Sequence, residues 1–240
     1  MRCECKIKLN NLNEIENFCN YFNDRIAEIE KIESRILKKV LFVSVLDSLS
    51  NLMESDSTGN RINFTKFIRN FANWKDSQKI SLPLLYQHIR NNSITFDEDK
   101  KVIPFLEDKY KQFKYGLIHR LDEDITIDDI GLKNQSELSK KAKTEIIKFE
   151  HANIFYVYRN YLVHEFREPN FSGLENIPTN ETPYYIGGDI NISKQQTNWK
   201  LVYSERFFIE LVKSSLSAIK KYLIDNNKNP YDCYDFEKIL

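Results

Sequence analysis

Glycine and proline are scarce in this 240-residue chain, six of each, too few for the many tight turns of a β-sandwich or barrel, so the composition leans toward helices. An excess of charge of one sign is also missing, since 35 Lys and Arg stand against 35 Asp and Glu, and no global field draws the chain onto nucleic acid. Any contact with a polyanion must be local. The four cysteines, Cys3, Cys5, Cys19 and Cys233, form no C-x-x-C pair and have no histidine at metal-ligand spacing. Neither a zinc site nor a disulfide framework is indicated, and a reducing cytoplasm fits. The longest apolar run, Val40 to Leu46, is far short of the roughly 20 residues that span a bilayer, and the N-terminus carries no apolar signal core. A soluble protein is expected.

What is present is helical periodicity. Ile15, Phe18, Phe22, Ile26 and Ile29 recur three and four residues apart, which predicts an amphipathic helix over Leu12 to Ile32. Arg35 to Met53 is apolar on most sides and reads as a central buried helix. Shorter helices are expected over Arg61 to Trp74 and Leu82 to Arg90, and another from about Pro104 to Leu121. The acidic stretch Asp122 to Asp129 lacks the ligand order of a calcium loop and reads as a solvated loop.

Asn134-x-x-Glu137 has the form of a helix start, and the apolar spacing then runs without a break to Phe166 before Pro169, so one long helix is expected. Tyr184 to Ile192 and Trp199 to Tyr203 read as a two-stranded excursion whose turn is Gly187-Gly188-Asp189. Ser204 to Ile224 returns to helix, and a polar tail follows. The fold class is therefore all-α, a helical bundle with a small β-hairpin insertion near residues 184–203, in a single domain over 1–240.

Chemistry concentrates in Tyr158-Arg159-Asn160-Tyr161-Leu162-Val163-His164, where four residues separate an Arg from a His and a polar residue follows the Arg directly. No other arginine has a histidine at that distance. At about 100° per residue, Asn160 and His164 share a helix face and Arg159 must reach round to it with its long side chain; Arg167 follows three residues after His164 on the same stripe. An imidazole can exchange a proton with a ribose hydroxyl or a leaving oxygen, and a guanidinium can hold a phosphate as charge builds on it.

The segment resembles the HEPN family, whose mark is an Arg and a His four to six residues apart near the end of an apolar helix. The resemblance covers a core of about residues 134–224, with the N-terminal helices 12–121 expected to pack on it. It implies a metal-independent endoribonuclease that needs no cofactor and takes RNA as substrate. It further implies a homodimer that brings two motifs into one cleft, and a toxin–antitoxin or phage-defence role with an antitoxin or defence-system partner. Arg159, Asn160 and His164 would then be catalytic, as phosphate stabiliser, orienting group and acid or base, with Arg167, Lys143 and Tyr161 as substrate contacts. The chain departs from HEPN proteins paired with a nucleotidyltransferase, in which the residue two after the His is a Tyr open to modification; here it is Phe166.

Blander readings stand beside this one. Arg159 paired with Glu150 and His164 closing its helix would be a structural pair, and a non-catalytic HEPN module would bind RNA, a nucleotide or a partner protein without turnover. Lys140, Lys141, Lys143 and Lys148 also suit a solvated helix face, and His88, His119 and His151 read as structural.

Overall fold

Apolar spacing decides most of the helices. In the computed structural model, which describes residues 2–53, 59–92, 96, 101–114, 116–133, 138–175, 181–191 and 196–233, the elements in chain order are α1 (Arg2–Glu30), α2 (Arg35–Met53), α3 (Asn60–Phe71), α4 (Leu82–Asn92), α5 (Val102–Tyr110), β1 (His119–Arg120), α6 (Ile127–Lys133), α7 (Lys140–Ile147), α8 (His151–Glu165), β2 (Tyr184–Asn191), β3 (Gln196–Val202) and α9 (Glu205–Asp225). The fold is mostly α-helical with one three-stranded antiparallel sheet. Among the described residues no helix is long and apolar enough to cross a membrane.

The chain divides into two compact units. The first takes residues 1–74, 162–167 and 208–240, and the regular elements of its described part are helices. On α1 the expected stripe Ile15, Phe18, Phe22, Ile26 and Ile29 is buried. Helix α2 buries Val40, Phe42, Val43, Val45, Leu46 and Leu49, so more than one of its faces is enclosed. Helix α9 is tied to its neighbours at both edges: Lys213 and Lys220 pair with Glu30 and Glu16 of α1, and the Tyr222 ring stands edge-on to Phe71 of α3 at 5.5 Å. These ion pairs are half-exposed and contribute little; the buried apolar stripes hold the unit together.

The second unit takes residues 75–161 and 168–207, and here the chain departs from its local patterns. The sheet order is β1-β2-β3. Tyr184 and Tyr185 pair with Val202 and Leu201 on one side and with Arg120 and His119 on the other. Tyr184, Tyr185, Trp199, Leu201 and Val202 are buried, so the two expected strands form part of the core of this unit. Gly187-Gly188-Asp189 is no turn: it lies inside β2, where the register shifts between Gly187 and Ile190. A Cβ on Gly188 would stand 2.7 Å from the backbone oxygen of Asn198, so the two strands approach too closely there for any larger residue. Residues 192–195, which join the strands, lie outside the described residues, as does the Asn134-x-x-Glu137 start signal.

Three expectations for this unit are corrected. Helix α5 stops at Tyr110 instead of continuing to Leu121. Gly116 has φ of 83°, and the buried His119 ring holds the reversed chain, accepting the Lys114 N–H at 3.0 Å and bonding Glu123 at 2.6 Å through Nδ1. This frees His119 and Arg120 to serve as the third strand. The acidic stretch is not all loop: Asp129 accepts from the Thr126 N–H and hydroxyl at 2.8 and 2.7 Å, and Thr126 Oγ1 accepts the Asp129 N–H at 3.2 Å. This reciprocal cap starts α6.

The long helix expected up to Pro169 is broken between α7 and α8, at Lys148–Glu150. Its backbone there bonds sideways: the Phe149 carbonyl accepts from Ser81 N–H at 2.8 Å, His151 N–H donates to Lys79 at 2.9 Å and Ala152 N–H to Ser77 at 2.8 Å. Groups committed to a neighbouring segment cannot also close i to i+4 bonds.

Candidate functional site

Helix α8 carries the motif. Ile154, Phe155, Tyr158 and Leu162 are buried and form its inward stripe. Asn160 is half-buried and His164 exposed; they lie one turn apart on the opposite side, roughly 6 Å along the axis. Arg159 Nη1 donates to Asn160 Oδ1 at 2.8 Å, and its guanidinium lies over the Tyr156 ring, 5.9 Å from the centroid. The Asn160 carbonyl is therefore engaged by Arg159, which leaves its NH2 group as the donor on that face. Among the described residues His164 makes no hydrogen bond or ion pair, and its side chain is exposed. All three motif residues stand on one continuous helix, so helix geometry alone sets their spacing. Tyr161, half-buried, follows Asn160 and precedes His164 by three residues, on the same broad face.

Arg167 does not extend this face. The helix ends at Glu165 because Phe166 takes a left-handed conformation, φ 54°, a position that disfavours side chains with a Cβ. Arg167 then turns off the axis and pairs with Glu165 at 2.5 Å, both side chains about half exposed. Lys143 is exposed on α7, a separate helix from the motif. The expected substrate contacts are thus divided: Tyr161 lies on the motif helix, whereas Arg167 and Lys143 lie off it.

A second polar constellation escaped the sequence reading. Asp124 and His151 are buried, and so are Ser81 and Tyr185. His151 Nε2 bonds Asp124 Oδ2 at 2.8 Å, and the Tyr185 hydroxyl donates to the same oxygen at 2.6 Å. Tyr185 and Ser81 hydroxyls are 2.8 Å apart; since the one phenolic proton goes to the carboxylate, Ser81 supplies the proton of that bond. Asp124 Oδ1 accepts the Leu82 N–H at 2.9 Å and so caps α4. Burial first, and the Asp124 carboxylate second, push the Tyr185 phenol well above its ordinary range, which keeps it a proton donor to Asp124.

Ser, His and Asp are the residue types of a nucleophilic triad, but their arrangement here is different. The histidine faces the carboxylate instead of the serine, the serine is held by a tyrosine, and Asp124 and His151 side chains have no solvent exposure. This group is a structural joint that ties the starts of α4 and α8 to β2. Only the spacing of buried types across Ser81, Asp124, His151 and Tyr185 could have revealed it, and no local pattern links them.

Comparison of the chain with protein-family models, with curated proteins and with solved structures finds no match.

Proposed function

We propose that the protein is a metal-independent endoribonuclease of the HEPN kind, with His164 as acid or base, Arg159 as the group that holds the phosphate, and Asn160 as the group that orients it. The observation that carries this reading is the pairing of Arg159 with Asn160 at 2.8 Å one helical turn before an exposed His164. A structural Arg–His pair of the kind expected for simple packing would bury or bond the imidazole.

In the reaction, a neutral imidazole removes the proton of a ribose 2′-hydroxyl, the 2′-oxygen attacks the adjacent phosphorus, and the bond from phosphorus to the 5′-oxygen breaks. The leaving oxygen takes a proton from an imidazolium. The guanidinium of Arg159 and the amide NH2 of Asn160 stabilise the charge that grows on the non-bridging oxygens. A homodimer would supply one imidazole as base and its copy as acid, which fits one motif per chain. A toxin or phage-defence role, with an antitoxin or defence-system partner, belongs to the same proposal.

The test is the chemistry of the product ends. Incubated in EDTA with a single-stranded RNA, the purified protein is expected to leave 2′,3′-cyclic phosphate ends, and a substrate with 2′-deoxyribose at every position is expected to stay intact. Cleavage of the deoxy substrate, or cleavage that EDTA abolishes, would overturn the mechanism. Binding of RNA without cleavage would favour a non-catalytic module.

A further inference from the structure

The second unit contains an open cleft of about 480 Å³, within the range that takes a ligand of nucleotide size. Leu84, Ile154 and Trp199 are buried at its base, and Phe149, Val157 and Phe171 form half-buried apolar walls. Among the described residues that line it the charges have one sign, those of Lys148 and Lys200, with no carboxylate. The exposed amides of Asn91, Asn170 and Asn198 complete the rim, and each offers a donor and an acceptor.

The polar groups of the cleft fall into two kinds. Gln87 is committed to the backbone of Trp199, accepting its N–H at 2.8 Å and donating to its carbonyl at 3.4 Å, so it fixes the floor. Among the described residues the two ammonium groups are held by surface partners: Lys148 pairs with Glu145 at 2.6 Å with its side chain about half exposed, and Lys200 donates to the Asn170 carbonyl. A phosphate can displace the Lys148–Glu145 pair at small cost, because exposed ion pairs contribute little, and it offers Lys200 a charged acceptor in place of a carbonyl.

Placement on α8 gives the cleft its meaning. Ile154 and Val157 contribute its α8 wall, and Asn160 and Tyr161 follow Val157 by three and four residues, which puts them on the same face one turn further along. An apolar slot with aromatic walls, flanked by ammonium groups and amides and continuous with that face, suits a base together with its phosphate. An acyl chain or an acidic side chain would leave part of this lining unused.

We propose that this cleft is a nucleotide subsite for single-stranded RNA: one base lies against Phe149, Phe171 and Val157, its phosphate meets Lys148 and Lys200, and the strand continues along α8 toward Asn160. This rests on the reading of α8 as the RNA-facing helix.

The experiment uses the full-length His164→Ala protein, so that RNA survives, with a fluorescein-labelled single-stranded oligoribonucleotide and, separately, 5′-AMP and 5′-UMP by calorimetry. Val157→Trp fills the slot and Lys148→Glu reverses a rim charge at an exposed position. Each is expected to weaken oligonucleotide binding by about tenfold or more, the scale of one lost stacking or phosphate contact, with unchanged circular dichroism. If both variants bind RNA as well as the His164→Ala protein does, the subsite is overturned, while cleavage by the protein with His164 intact keeps the nuclease reading. If Val157→Trp does not fold, Lys148→Glu decides alone. If the protein with His164 intact neither binds nor cuts RNA, both readings fall.

Discussion

Two histidines mark the ends of α8, and their surroundings are opposite. His151 opens the helix with no exposed surface and bonds Asp124 at 2.8 Å; His164 stands one residue before its end, exposed, with no hydrogen bond or ion pair among the described residues. The same residue type on the same helix is thus structural at one end and chemically available at the other. Burial decides between the roles, because an imidazole enclosed among a carboxylate, a phenol and a serine hydroxyl has no path to a substrate. The presence of His, Ser and Asp together is therefore poor evidence for catalysis unless the group reaches solvent.

The largest effect is expected where the comparison is broken at its buried end. His151→Ala removes one of the three groups that bond the buried Asp124 carboxylate, leaving the Tyr185 hydroxyl and the Leu82 N–H, and empties the volume of a buried ring. Stability should fall by about 2–5 kcal/mol, read from the urea midpoint. A fall below about 1 kcal/mol would mean that the joint does little for the fold. At the exposed end, Arg159→Ala should lower RNA cleavage by about a hundredfold, as removal of one charge-stabilising donor does, while the urea midpoint moves little; a large drop in stability would return Arg159 to a packing role.

A pH series sharpens the contrast further. Burial pushes the Tyr110 phenol up to about 12, and burial also raises Tyr158, Tyr185 and Tyr203 well above their ordinary range. All four lie in the second unit. A phenol whose folded value exceeds its unfolded value of about 10 adds stability that is complete below that pH and is lost as the pH rises toward the folded value. Stability of the second unit should then decline above about pH 10, with phenolate absorbance appearing together with loss of structure. Phenolate absorbance rising for every tyrosine before any unfolding would contradict this burial.

The smallest effect is expected beside His164. Phe166 is exposed and left-handed, φ 54°, so Phe166→Gly should raise stability by about 1 kcal/mol, the scale of the relieved strain. An unchanged or lower midpoint would show that the ring packs in a way that outweighs it.

The two units also differ in how far they could be read from the amino acids. Helices α1, α2, α3 and α9 follow from their own apolar residues at helical spacing; the bounds of α2, α3 and α9 match the periodic stretches closely, whereas α1 begins at Arg2, ten residues before the expected Leu12. In the second unit, distant segments compete for the same backbone groups. The break before α8 depends on Lys79 and Ser81 bonding Phe149 and His151, and the third strand depends on His119 meeting Tyr185, so local periodicity could not show either. The candidate site was legible for the same reason as the first unit, since Arg159, Asn160 and His164 lie on one helix. Arg167 was misplaced because nothing in the residues before Pro169 announced the left-handed Phe166. The joint of Ser81, Asp124, His151 and Tyr185 was missed because its members meet only through the fold.

The most direct measurement takes His164→Ala through two assays on the same preparation, RNA cleavage in EDTA and urea unfolding. Proton transfer by a positioned histidine contributes about a hundredfold to ten-thousandfold; cleavage should fall by that factor, with an unfolding midpoint equal to that of the parent. Cleavage that persists undiminished, or a midpoint that collapses as activity is lost, would contradict the assignment of His164 as the exposed reaction centre of α8.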